Sequence, residues 1–120
     1  MLDKVLFDAN GVICTYSGEA TLRDICDAIG QYLTNPKCGE FKHIVHDFSE
    51  VESFRFAEDE FAGLASYAME NYQDADFAPR CAVTKNDTIK RSLDLYAELT
   101  GRKWQFFATL ADAVEWADSR

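Results

Sequence analysis

The chain has 120 residues, 48% hydrophobic and 28% charged, a balance that suits one globular domain with its own core and excludes a disordered polymer. A formal charge of −9 disfavours nucleic acid and anionic membrane surfaces, both of which need clustered Lys and Arg. No apolar run reaches the ~20 residues that cross a bilayer, so membrane insertion is not expected. The acidic start MLDKVLFDANG is no secretory leader, which makes the cytoplasm the expected location.

Leu2–Asp8 reads as a strand and Val12–Tyr16 as a second, with Ala9-Asn10-Gly11 between them. Asn-Gly between strands predicts a hairpin with a type I′ turn, both residues tolerating positive φ. Thr21 with Asp24 approximates a capping box, and Leu22, Ile25, Cys26, Ile29 and Leu33 then share one helical face. Asn35-Pro36 ends that helix and Lys37–Glu40 forms a loop. Phe41–Phe48 is a strand, followed by a polar loop containing Ser49 and Ser53. Glu58–Tyr72 carries the clearest helical stripe in Phe61, Leu64, Ala65, Ala68 and Tyr72.

After Pro79, Arg80–Thr84 is a short buried strand. A further helix opens at Asp87 or Thr88 and closes at Gly101. Trp104–Ala108 is the last strand, and Thr109 with Asp112 caps a final helix with Leu110, Ala113, Val114 and Ala117 inward. The order β-β-α-β-α-β-α-β-α predicts an α/β domain. Its sheet of about five strands is mostly parallel, with antiparallel pairing at the opening hairpin.

Four cysteines stand apart without a C-x-x-C pair and are expected to be reduced. Cys14, Cys26 and Cys81 fall on apolar faces, whereas Cys38 beside Gly39 is expected to be exposed.

The element order, Tyr16-Ser17-Gly18-Glu19 before the first helix, and Ile44–Phe48 running into Ser49-Glu50-Val51 resemble the STAS family, the SpoIIAA-like anti-sigma-factor antagonist domains. Ala82-Val83 and Ala113-Val114-Glu115-Trp116 fit the same pattern. The resemblance covers roughly residues 4–118 and is strongest to small, stand-alone, uncharacterised bacterial members. It implies a regulatory, non-catalytic module that works through protein contacts, as a homodimer or with another partner.

Antagonist members carry Asp-Ser-Ser/Thr-Gly where the third strand meets the second helix, and a kinase phosphorylates one of its hydroxyls. Arg55-Phe56-Ala57-Glu58 occupies those positions here, so the phospho-switch does not carry over. The resemblance makes Ser49, Ser53, Phe54, Arg55, Phe56 and Glu58 the candidate interaction surface. Phe54 and Phe56 are either core or, if exposed, an apolar patch for a partner.

A second candidate region is the rim where parallel strands end and helices begin: Asp47, Ser49, Lys85, Asn86, Asp87 and Thr109. Lys85 is its only cation. Asp47 is read as a loop cap in preference to a general base. The wealth of aromatics, 9 Phe and 5 Tyr, leaves open a small hydrophobic ligand or lipid carrier of Sec14-like type.

The segment VLFDANGV also resembles the first motif of haloacid dehalogenase-like phosphohydrolases, with Asp8 as nucleophile and Thr84 as the second-motif hydroxyl. Asn10 stands where phosphotransferase members need an Asp, and no late acidic pair is present to hold magnesium. His43 and His46, three apart in a strand, should point to opposite faces and so not share a metal ion. They are expected to be partly buried. No cofactor, catalytic set or metal site is expected.

Overall fold

The computed structural model describes residues 1–55, 79–100 and 103–120. The predicted helix Glu58–Tyr72 lies outside the described residues, as do Phe56 and Gly101, the end signal of the helix predicted to open at Asp87 or Thr88.

Five strands form one sheet: β1 (Leu2–Phe7), β2 (Gly11–Thr21), β3 (His43–Arg55), β4 (Arg80–Val83) and β5 (Trp104–Phe107). Their spatial order is their chain order. β1 pairs antiparallel with β2, and all later pairs are parallel, as the hairpin and the alternating pattern predict. A sheet that always grows in one direction sends its crossover helices to one face. Helices α1 (Leu22–Leu33) and α2 (Asp87–Thr100) both lie on that face. There Leu22, Ile25, Ile29, Ile89 and Leu93 close on Val12, Cys14, Ile44, Phe48 and Ala82.

The opposite face is covered by α3 (Leu110–Asp118), whose Ala113 and Ala117 pack on Val45, Cys81 and Val83. Their small side chains let the helix approach the sheet closely. α3 stops short of β1, where Leu6 stays 52% exposed.

Both capping readings hold. Thr21 Oγ1 accepts from Asp24 N–H at 3.2 Å while Asp24 accepts from Thr21 N–H at 2.9 Å. Thr109 Oγ1 accepts from Asp112 N–H at 3.2 Å. α2 opens at Asp87, one of the two predicted starts, with Asn86 as its cap, Oδ1 accepting from Thr88 N–H (2.8 Å) and Ile89 N–H (3.3 Å).

The hairpin forms without the predicted turn type. Gly18 alone has positive φ among the described residues, so the Asn10-Gly11 link is not type I′. The Asp8 side chain closes it instead, Oδ1 accepting from Asn10 N–H (2.7 Å) and Gly11 N–H (2.8 Å). Gly11 is required by proximity, since a Cβ there would lie 2.0 Å from the His43 carbonyl oxygen.

Two further expectations are corrected. Cys38 is buried, drawn into the main core by a 3₁₀ turn at Cys38–Glu40. The segment read as a loop after Phe48 continues as strand to Arg55, because β2 runs alongside it as far as Thr21.

Candidate functional site

β4 is short and β3 is long, and that difference builds the site. β4 pairs with Ile44–Asp47 and ends at Val83. Beyond Asp47, β3 pairs on its other side with β2, from Ser17–Glu50 to Thr21–Arg55. This two-stranded overhang projects past the ends of β4 and β5. Register shifts at Thr15/Ser17 and Gly18/Glu19 let it bend, with Gly18 at φ +60° in the left-handed region that a glycine bulge uses. Ser49, Glu50, Glu52, Ser53 and Arg55 are exposed along β3, and Glu19 beside them on β2. Phe54 is half-buried, meeting Phe48 edge-on with centroids 6.3 Å apart, so it anchors the overhang to the core.

Between the overhang and the ends of β4 and β5 lies a notch of about 480 Å³, lined by Phe48, Ser49, Val51, Thr84, Lys85, Asn86 and Ala108. Of the predicted rim, Ser49, Lys85 and Asn86 line it. Asp47, Asp87 and Thr109 do not. Asp47 Oδ1 accepts from the Ser49 N–H (3.0 Å) and hydroxyl (2.6 Å), which is capping chemistry as expected. Asp87 sits in the first turn of α2, and Thr109 is occupied in capping α3.

Phe48, Val51 and Ala108 were missed by sequence reasoning, and Thr84 was read only as the hydroxyl of the phosphohydrolase motif. Only the extension of β3 brings the first two to the notch, and its ladder partners lie about 33 residues away in sequence.

The histidines sit on opposite faces, as their spacing predicts, and both are more buried than expected, at 2% and 0% exposure. His43 Nδ1 lies 2.7 Å from Asp118 Oδ1 and Nε2 lies 3.0 Å from Asp8 Oδ2, joining the hairpin turn to α3. Burial works against ionisation of Asp8, but hydrogen bonds from Asn10, His43 and Gly11 outweigh it and hold the carboxyl below its ordinary range.

His46 lies in the main core between Tyr16 and Tyr32. Burial, and then the nearby Arg80 cation, push its pKa well down, so the ring is neutral. Arg80 Nε–H donates to Tyr32 Oη at 3.0 Å, and Tyr32 Oη in turn lies 3.3 Å from His46 Nε2. His46 Nδ1 lies 2.7 Å from Tyr16 Oη. Burial raises the Tyr16 pKa, keeping that phenol neutral too.

Burial also pushes the Cys14 thiol up to about 12 and Cys81 to about 11. Cys26 rises to about 11 through burial and the neighbouring Asp27 charge. Thiols held protonated are poor nucleophiles.

Asp8 and Thr84, the two residues of the phosphohydrolase reading, stand at opposite ends of the sheet. Asp8 follows Phe7, which is level with the start of β4 at Arg80, whereas Thr84 follows its end. No group of three or more His, Cys, Asp or Glu suited to a metal ion occurs among the described residues. No described helix is long and apolar enough to cross a membrane.

No family model matches the chain, and no curated protein matches it. Solved structures do. The unphosphorylated form of the anti-sigma factor antagonist SpoIIAA superposes with a TM-score of 0.62 at 12% identity, covering 98% of each chain. The chain has a SpoIIAA-like fold. An uncharacterised DUF3478-family protein from Shewanella loihica PV-4, also described as SpoIIAA-like, gives 0.58 at 13% identity, covering 95% of this chain and 90% of its own. The STAS resemblance read from Tyr16–Glu19 and Ile44–Val51 is therefore upheld at the level of fold.

Proposed function

We propose that the chain is a regulatory protein-interaction module of SpoIIAA-like fold, docking through the β2–β3 overhang. The observation that carries this reading is the overhang itself: β3 runs from Phe48 to Arg55 past the end of β4, with Ser49, Glu50, Glu52, Ser53 and Arg55 exposed. An extended strand with one side unpaired by β4 offers backbone donors and acceptors to a partner. Glu19, Glu50 and Glu52 outnumber Arg55 there, so the surface complements a basic patch.

The function needs no catalytic group. The buried His43 and His46 and the protonated thiols serve the core, and Arg55 and its neighbours replace the phosphorylatable step of antagonist members. Domain unity over residues 1–120 and a cytoplasmic setting belong to the same proposal, with a second copy of the chain as the alternative occupant.

Reversing two charges tests it. Glu50→Lys combined with Glu52→Lys should abolish co-purification of the partner, or convert a homodimer to monomer in light scattering, with the circular dichroism spectrum unchanged. Association of unaltered affinity in this folded variant would remove the overhang as the docking surface.

A further inference from the structure

We propose that the notch between the β3 overhang and the ends of β4 and β5 binds a small anionic amphiphile, with a short-chain carboxylate as its simplest form. The proposal rests on the notch alone and stands independently of the partner-docking reading. At about 480 Å³ the notch falls within the usual range of small-molecule sites. Phe48, Val51 and Ala108 provide an apolar wall for a hydrocarbon body.

Its polar wall has a donor surplus. Lys85 is exposed and makes no ion pair among the described residues. Thr84 is 3% exposed; its Oγ1 accepts from Asn86 N–H at 3.0 Å, and no acceptor for its own hydroxyl proton occurs among the described residues. Asn86 Oδ1 is filled by two backbone N–H groups of α2, which leaves the donor end of its amide for a ligand. The remaining hydroxyl, Ser49, is turned to Asp47.

Ammonium, buried hydroxyl and amide N–H all ask for an acceptor, and the ammonium favours a charged one. The two carboxylates of the predicted rim do not meet that need: Asp47 is engaged by Ser49, and Asp87 is absent from the lining. A carboxylate on Lys85 and Thr84, with its chain along Phe48 and Val51, satisfies both walls at once.

Titration of the ¹⁵N-labelled chain with hexanoate, hexan-1-ol and inorganic phosphate, followed by amide shifts, tests the assignment. Hexanoate should saturate, with the largest shifts at Ser49, Val51, Lys85 and Asn86. Hexan-1-ol and phosphate should each bind at least about tenfold more weakly, the scale of one charge-assisted hydrogen bond or a few buried methylenes. Lys85→Gln should weaken hexanoate about tenfold while leaving hexan-1-ol unchanged. Ala108→Phe, filling the notch, should abolish hexanoate binding with the amide spectrum otherwise dispersed.

Equal affinity for hexanoate and hexan-1-ol, or insensitivity to Lys85→Gln, would overturn the anion site. Phosphate binding as tightly as hexanoate would overturn the amphiphile. Absence of saturable shifts would overturn both.

Discussion

A methyl group at Gly11 would lie 2.0 Å from the His43 carbonyl oxygen, so Gly11→Ala must force β2 away from β3 at the start of their ladder. A loss on the order of 3 kcal/mol is expected in urea unfolding, the upper part of the range for overpacking. Gly11 was legible in the sequence as a turn glycine, but for a different reason, because the residue it approaches arrives from 32 positions later.

His46 gives a second residue-scale prediction. The folded chain holds the ring neutral, below its ordinary 6.5, whereas the unfolded chain takes up a proton as pH falls through that value. Stability is therefore full above pH 6.5 and declines below it. The His46 ring resonances should stay flat from neutral pH down through 6.5, and a titration centred near 6.5 would contradict the buried Tyr16–His46–Tyr32 arrangement. Asp8, with its depressed carboxyl, adds stability above its ordinary 3.8 that is lost at still lower pH. Neither pKa shift was legible, since the sequence shows a histidine's neighbours along the chain and not those across the sheet.

At the scale of elements, the helix signals were the most readable. Thr21 and Asp24 form the predicted capping box, and Thr21→Ala should cost about 1 kcal/mol by thermal unfolding. A loss near zero would mean that α1 is held by its buried face alone. Caps are legible because donor and acceptor lie three residues apart. The overhang was not, because Ser49, Glu50 and Ser53 have the composition of a loop and become strand only by lying against Ser17–Thr21. The ladder also shows why Gly18 matters. Its φ of +60° meets open space, so Gly18→Ala should cost about 1–2 kcal/mol from backbone strain and nothing from collision. The same extension placed Phe54 against Phe48, settling which of the two fates read for it applies: it is partly core, with its polar neighbours outside.

Over the whole molecule, the sheet class was visible in the alternation of strands and helices and in the opening Asn10-Gly11 link, because these are properties of order and not of register. Strand lengths set the site, and length is decided by pairing, so only Ser49, Lys85 and Asn86 of the predicted rim reach the notch. The proposed docking pairs a chain of charge −9, with its acidic two-stranded overhang, with a basic surface on the partner. Site-specific photo-crosslinking tests that claim most directly, with a benzophenone side chain at Ser53 on the overhang and, as control, at exposed Glu115 on α3. The account predicts one defined protein adduct from Ser53, lost when Glu50 and Glu52 are changed to Lys, and none from Glu115. The same adduct from both positions, or an adduct from Glu115 alone, would contradict it.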